Sequence, residues 1–192
     1  HTYSIVARDP KTGEMGVGVQ SHYFSVGSVV DWGTSGVGVV ATQSFVNKSF
    51  GLRGLELMKQ GKSPEEALDI LLSDDDGKNV RQVALLDSQG RVAVHTGSKC
   101  IKYAGHEIGD NFSVQANMML KDTVWPAMAQ AFKKHKDTPL PERILKTLQA
   151  AEAEGGDIRG KQSAAILVVK AAPEVPHPRT NTVNPFFTFA NL

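Results

Sequence analysis

The pattern of apolar and polar positions in the first forty residues predicts strands. Residues 3–8 are apolar and β-branched, and the sequence DPKTGE at residues 9–14 has the composition of a tight turn. We expect further strands at residues 15–20, 24–30 and 36–43. Glycine is frequent in these segments, and because it weakens a strand, its density indicates close backbone approach, a bulge or a functional site.

Helical periodicity begins at residues 50–60, where three apolar side chains share one face. The next helix has a clear start, because Ser63 is a suitable N-cap, Pro64 fits the first helical position and Glu66 completes a capping box. We predict that this helix runs to about Leu72.

The second half of the chain repeats the order of strands followed by helices. Its predicted strands are residues 80–87 and 91–96, joined by a hairpin turn, then short extended pieces near Ile101 and at 112–119, and a final buried strand at 163–170. Its predicted helices are residues 123–135 and 141–154.

Separate runs of strands and helices favour antiparallel sheets covered by helices, which is the α+β class. We predict one domain at residues 1–170 that forms a four-layer αββα sandwich of two antiparallel sheets, although the order alone also fits other α+β layouts. Residues 171–192 are rich in proline and lack periodicity. We expect an extended tail there, held by Phe186, Phe187 and Phe189, with a neighbouring subunit as one possible surface.

Composition narrows the range of functions. The formal net charge is +1, and no basic stripe with interleaved aromatic residues is present, so we do not expect a nucleic-acid partner. No apolar run approaches the roughly 20 residues that span a bilayer, and the sequence HTYSIVARD has no features of a leader. A single cysteine fits a reducing compartment, so we expect a cytoplasmic protein with no membrane contact. No metal-binding or nucleotide-binding spacing occurs, and we therefore expect no metal and no cofactor.

Polar residues are concentrated at three places next to predicted strands: residues 20–22 (QSH), 115–118 (QANM) and 155–163 (GGDIRGKQS). Such segments supply hydrogen-bond donors and anion-binding groups, but they also fit ordinary hydrogen-bonded turns. Cys100 lies between His95 and His106, so it is either a nucleophile activated by an imidazole or a small buried side chain.

An ordered set of motifs resembles a known family. The segments TYSIVARDPKTGEMGVGVQSHYFSVGSVV, GVVATQSF, RQVALLDSQGRVAVHTG, VQANMM and GGDIRGKQSAAILVV look like the bacterial and archaeal family called domain of unknown function 1028, over about residues 2–170. That family is similar to the N-terminal-nucleophile (Ntn) hydrolases, αββα enzymes in which the first residue of the mature chain attacks an amide carbonyl. The resemblance implies that Thr2 is the nucleophile and that its own α-amine is the base once His1 is removed.

The same resemblance implies roles for other residues by position. Ser21, His22 and Asn117 are the expected catalytic neighbours of Thr2, with Asn117 as an oxyanion donor. The expected substrate-binding residues are Asp31, Gln43, Arg159, Gln162 and Ser163.

We therefore predict an amidohydrolase that cleaves a small linear amide or peptide, and a homo-oligomer. Two alternatives stay open. One is a non-catalytic binding protein that retains the sandwich, in which His1 blocks the amine of Thr2. The other is a hydrolase that uses Cys100.

Overall fold

The computed structural model describes residues 2–173 and 187–188. Ten strands and four helices are described in this part of the chain. The strands are β1 (Thr2–Arg8), β2 (Met15–Ser21), β3 (Asp31–Thr34), β4 (Gly38–Ser44), β5 (Arg81–Asp87), β6 (Val92–Thr96), β7 (Gly105–Gly109), β8 (Phe112–Asn117), β9 (Ser163–Val169) and β10 (Phe187–Thr188). The helices are α1 (Ser49–Lys59), α2 (Pro64–Ser73), α3 (Val124–Lys134) and α4 (Leu140–Ala153).

The strands form two antiparallel sheets. The larger sheet has the order β10-β9-β2-β1-β8-β7, and the smaller has the order β3-β4-β5-β6. Every described pair of neighbouring strands is antiparallel. The predicted α+β class with two antiparallel sheets is confirmed.

Three apolar layers hold the sandwich together. The first lies between the larger sheet and α3 and α4, and includes Tyr3, Ile5 and Ile144. The second lies between the two sheets and is dominated by valine. The third lies between the smaller sheet and α1 and α2, and includes Phe50 and Leu71. Because each sheet buries both of its faces, the four layers stack as α, β, β, α.

The segment at residues 24–30 is not the strand that its apolar character predicted. It is a loop with one turn of 3-10 helix at Val26–Ser28, and β3 begins only at Asp31. Val26, Val29 and Val30 are nevertheless buried. The apolar pattern therefore indicated burial correctly, but not an extended backbone. The chain curves here because the Val26 amide donates to the Ser163 hydroxyl at 3.0 Å, a bond to a distant strand that local sequence cannot indicate.

Two further predictions concern the strand before β8 and the C-terminal tail. β7 pairs with β8 at residues 105–109, whereas the extended piece was predicted near Ile101. Of the expected tail, residues 174–186 and 189–192 lie outside the described residues, as does His1. β10 pairs with β9 through the register Phe187↔Ile166. No helix in the described part of the chain is both long and apolar enough to cross a bilayer.

Candidate active site

The space between the two sheets is apolar at one end and polar at the other. On β1, Val6 joins the apolar inter-sheet layer, whereas Ser4 and Thr2 continue the same face of the strand with polar side chains. The same change occurs along the other central strands, whose inward polar residues are Ser21 on β2, Gln43 on β4, Gln82 on β5, and Ser113, Gln115 and Asn117 on β8. This polar end of the sandwich contains the candidate site.

Thr2 begins β1 and is fixed by side chains from three other strands. Its Oγ1 donates a hydrogen bond to the Ser21 Oγ at 3.0 Å. Its carbonyl oxygen accepts from the Asn117 Nδ2 at 3.3 Å and from the Gln43 Nε2 at 3.4 Å. The register explains this convergence, because Thr2 lies opposite Ser21 on one side and opposite Asn117 on the other. Three of the predicted residues, Ser21, Asn117 and Gln43, therefore contact Thr2 directly.

Gln82 connects the residues that hold Thr2. Its Oε1 accepts from the Gln43 Nε2 at 2.7 Å and from the Asn117 Nδ2 at 3.0 Å. Its Nε2 donates to the Thr96 Oγ1 at 2.9 Å and to the Ala116 carbonyl at 2.9 Å. Gln82 was not predicted as a site residue, although a glutamine at an inward position of an otherwise apolar strand was the available signal.

The network extends one step deeper between the sheets. Ser4 donates to the Gln43 Oε1 at 2.6 Å and accepts from the Gln115 Nε2 at 2.6 Å. Ser113 in turn donates to the Gln115 Oε1 at 2.9 Å. These side chains are buried and hydrogen-bonded, which is what keeps a polar layer stable in a protein interior.

A cavity of about 100 Å³ opens beside Thr2. Its polar wall contains Thr2, Ser21, Gln43 and Ser44. Its apolar wall contains Val26, Val29, Val30 and Val46, and it is also lined by His22, Tyr23 and Arg159. Six predicted site residues meet at or next to this cavity: Thr2, Ser21, His22, Gln43, Arg159 and, through Thr2, Asn117.

Ser44 lines the cavity and was not predicted as a site residue. Its φ of 71° lies in the left-handed region, which is costly for a side chain other than glycine. Its Oγ is buried and has no hydrogen-bond partner among the described residues. A strained residue with an unpaired hydroxyl at a cavity wall fits a group that binds a substrate.

Arg159 lines the cavity, and the carboxylate of Asp157 holds its guanidinium group in place. Asp157 is buried, and its Oδ2 lies 2.8 Å from the Arg159 Nη2 while its Oδ1 accepts from the Arg159 Nε at 3.1 Å. The Asp157 Oδ2 also accepts from the backbone amide of His22 at 3.4 Å, and the His22 side chain is exposed. Asp157 therefore ties the loop after β2 to the loop before β9.

The remaining predicted residues lie outside the cavity lining. Ser163 accepts from the Val26 amide and donates to the Tyr23 carbonyl at 2.6 Å, so it fixes the loop that forms the apolar wall. Gln162 is exposed and is not one of the lining residues. Asp31 is not one of the lining residues; it begins β3, opposite Ala41 of the inter-sheet layer. Its Oδ1 has no partner among the described residues, and burial raises the pKa of this carboxyl to about 7.

Cys100 lies apart from this arrangement. Its Sγ donates to the Arg81 carbonyl at 3.3 Å, and it does not line the cavity. The flanking imidazoles have other partners, since the His95 Nε2 bonds the Lys78 carbonyl at 2.7 Å and the His106 Nδ1 bonds the Thr96 Oγ1 at 2.8 Å. Among residues 2–173, no three His, Cys, Asp or Glu side chains converge as metal ligands would.

Several solved structures align with this fold. A protein from Silicibacter pomeroyi that is assigned to the family DUF1028 aligns with a TM-score of 0.82 and 33% sequence identity. The alignment covers 88% of this chain and 73% of that chain. Eukaryotic HslV from Trypanosoma brucei aligns with a TM-score of 0.50 and 10% identity, over 88% of this chain and 99% of that chain. HslV has the Ntn-hydrolase fold, and at this identity the likeness shows the fold alone.

A comparison with curated protein sequences gives no match. The sequence profile of the family of unknown function DUF1028 matches residues 2–184, which is most of the chain. The motifs that suggested this family at the outset lie within that range, and they include the strands that hold Thr2, Ser21 and Asn117. The chain therefore belongs to the DUF1028 family and has the Ntn-hydrolase fold.

Proposed function

We propose that this protein is an amidohydrolase that cleaves a small linear amide or peptide bond with Thr2 as its nucleophile. The observation that carries the proposal is the position of the Thr2 hydroxyl, which lines the cavity at the start of β1 and donates to the Ser21 Oγ at 3.0 Å. A threonine at the start of a mature chain carries its own base, because an α-amine with a pKa near 8 accepts a proton near neutral pH.

The reaction consists of two acyl transfers. The Thr2 Oγ1 bonds to the amide carbonyl carbon while its proton passes to the α-amine, and the carbonyl oxygen becomes an oxyanion. Collapse of this intermediate breaks the C–N bond, and the leaving amine takes the proton from the α-ammonium. Water then attacks the Thr2 ester, the α-amine accepts a proton from that water, and the Thr2 Oγ1 leaves and is reprotonated. The α-amine is available only after the bond between His1 and Thr2 is cleaved.

The surrounding side chains have distinct parts in this proposal. Ser21 orients the Thr2 hydroxyl, and Asn117 and Gln43 position the start of β1 through the Thr2 carbonyl. Because the Asn117 amide is bonded to the Thr2 carbonyl and to Gln82, we assign it a positioning role in place of the oxyanion role expected from the resemblance. Ser44 belongs to the cavity lining and its buried hydroxyl has no partner among the described residues, so we assign it the role of oxyanion donor.

The decisive variants change only the nucleophile. In protein whose first residue is Thr2, we expect Thr2→Ala to abolish turnover of an amide identified by library screening, and Thr2→Ser to retain a measurable rate because a hydroxyl remains beside the amine. Thr34→Ala is the matched control, since Thr34 is an exposed threonine on β3. Unchanged turnover in Thr2→Ala would exclude the mechanism. Binding of a ligand without turnover in the same processed protein would favour the non-catalytic alternative.

A further inference from the structure

We infer that the cavity beside Thr2 selects an acyl group that is short, branched, aliphatic and uncharged, of the size of an isovaleryl group. This inference rests on the proposed function and specifies its substrate class. It comes from the volume, the lining and the charge of the cavity.

Four valine residues line the cavity beside Thr2. Val26, Val29 and Val30 are each no more than 5% exposed, and Val46 adds a fourth β-branched side chain. A wall of this kind favours an aliphatic group that displaces water from it. The hydroxyl and amide residues Thr2, Ser21 and Gln43 belong to the same lining, and the reacting carbonyl must lie beside Thr2.

The volume limits the length of the group. At roughly 30 Å³ for each water-sized or methyl-sized group, a cavity of about 100 Å³ holds three or four carbon atoms. The loop that carries Val26 is held in place, because the Val26 amide and the Tyr23 carbonyl are both bonded to the Ser163 hydroxyl. An aromatic ring or a long linear chain exceeds this volume and would have to extend out of the cavity into solvent.

The charge of the lining disfavours an ionised group. Among the described residues, no Asp or Glu lines the cavity, so the described lining offers no carboxylate to an ammonium group. Arg159 is the one Lys or Arg among the described lining residues, and its Nε and Nη2 are both bonded to the carboxylate of Asp157. A substrate carboxylate would have to compete with this buried partner as well as lose its hydration.

The enclosed position of the valines indicates that they receive the acyl part of the substrate. The acyl group stays bonded to Thr2 until water attacks it, whereas the amine product must leave for solvent after the first step. The side of the cavity near His22 and Tyr23, both exposed residues, provides that exit.

The test measures acylation of Thr2 by p-nitrophenyl esters, using intact mass and a peptide map of protein that begins at Thr2. The panel contains acetate, isovalerate, octanoate, phenylacetate and a carboxylate-ended acyl ester of isovaleryl length. Each rate is divided by the hydroxide-catalysed rate of the same ester, which removes differences in intrinsic reactivity. At about fourfold for each buried methylene, isovalerate should react roughly 50-fold faster than acetate. The last three esters should react no faster than acetate.

Variants of two valines test the wall directly. Val29→Ala should raise the relative rate of phenylacetate at least fivefold by enlarging the cavity. Val39→Ala is the control, because Val39 is equally buried in the same inter-sheet layer without lining the cavity. A flat ranking, a preference for the carboxylate-ended ester, or equal effects of the two variants would overturn the inference while leaving Thr2 as a nucleophile. Absence of any Thr2 acylation would instead remove the proposed function, and this inference with it.

Discussion

Ser44 has a buried hydroxyl oxygen and Asp31 is a buried residue, and the environment of each conflicts with its chemistry. Ser44 has a left-handed backbone and an unpaired hydroxyl, and Asp31 is a carboxyl group with one unpaired oxygen among the described residues. Each arrangement lowers the free energy of unfolding. Each residue therefore gives a prediction that separates a functional role from a structural one.

For Ser44, we expect Ser44→Ala and Ser44→Gly to lower turnover by a similar factor, on the order of 100-fold for loss of an oxyanion donor. Their stabilities should differ, because glycine accepts a φ of 71° and alanine does not. The free energy of unfolding, measured by thermal unfolding, should therefore be about 1 kcal/mol higher for Ser44→Gly than for Ser44→Ala. Turnover at the wild-type rate in both variants would show that the hydroxyl has no part in the reaction.

For Asp31, the raised pKa predicts that stability falls as pH rises. The folded protein keeps the carboxyl protonated up to about pH 7, whereas the unfolded chain ionises near 3.8. The folded state therefore binds more protons between these values, and the free energy of unfolding decreases across that interval. Asp31→Asn removes this titration. The difference between the two pKa values corresponds to a free energy of unfolding on the order of 4 kcal/mol higher in the variant than in the wild type at pH 8. Urea unfolding at pH 4 and pH 8 tests it, and an equal response to pH in both proteins would contradict it.

At the scale of elements, glycines in β2 explain how closely α4 approaches the larger sheet. Gly16 and Gly18 lie on the face of β2 that packs on α4, and a Cβ at either position would collide with Ile144. The glycine density that the sequence showed is therefore accounted for, at these two positions, by close backbone approach. α2 illustrates the opposite case, since its capping box forms as the local sequence predicts, with Ser63 and Glu66 as partners.

We expect Gly18→Ala to lower the free energy of unfolding by about 1–3 kcal/mol, because the added methyl group overfills a packed layer. Ile144→Ala should also destabilise the protein, by creating a cavity. The double variant should be more stable than the sum of the two single effects, since the new methyl group occupies part of the vacated space. Additive effects in urea unfolding would show that Gly18 and Ile144 do not share this contact.

At the scale of the whole molecule, the polar end of the inter-sheet layer joins the two sheets. Gln43 and Gln82 belong to the smaller sheet, and they bond Thr2, Ser4 and Asn117 of the larger one. The position of Thr2 therefore depends on the packing of one sheet on the other as well as on the start of β1.

Replacement of Gln82 tests this dependence. Gln82→Met preserves the approximate size of the side chain and leaves several buried donors and acceptors without partners, so we expect a loss of about 2–4 kcal/mol in the free energy of unfolding. Gln89→Met, at an exposed position in a turn, should change stability by less than about 0.5 kcal/mol. Equal stability of the two variants in urea would show that the polar layer does not depend on Gln82.

The sequence alone determined the class of the fold and most of its elements. Periodicity, the capping box at Ser63 and the hairpin turns are local signals, and local interactions form these features in the structure as well. The ordered motifs also indicated the family and, by resemblance, Thr2 with several of the residues found around it. The contacts of Ser21 and Asn117 with Thr2 follow from strand register, which an alternating polar pattern partly encodes.

The tertiary structure decided what local signals do not contain. The loop at residues 24–30 had the composition of a strand, but it contains a 3-10 turn and is held to Ser163 of β9 by a bond from the Val26 amide. Gln82, Ser44 and Asp157 gained their roles from partners or strain that arise only when distant segments meet. Their residue types are ordinary in strands and loops, so only the packing of the two sheets distinguishes them. The position of each buried polar group depends on long-range contacts, because it is stable only where those contacts satisfy it.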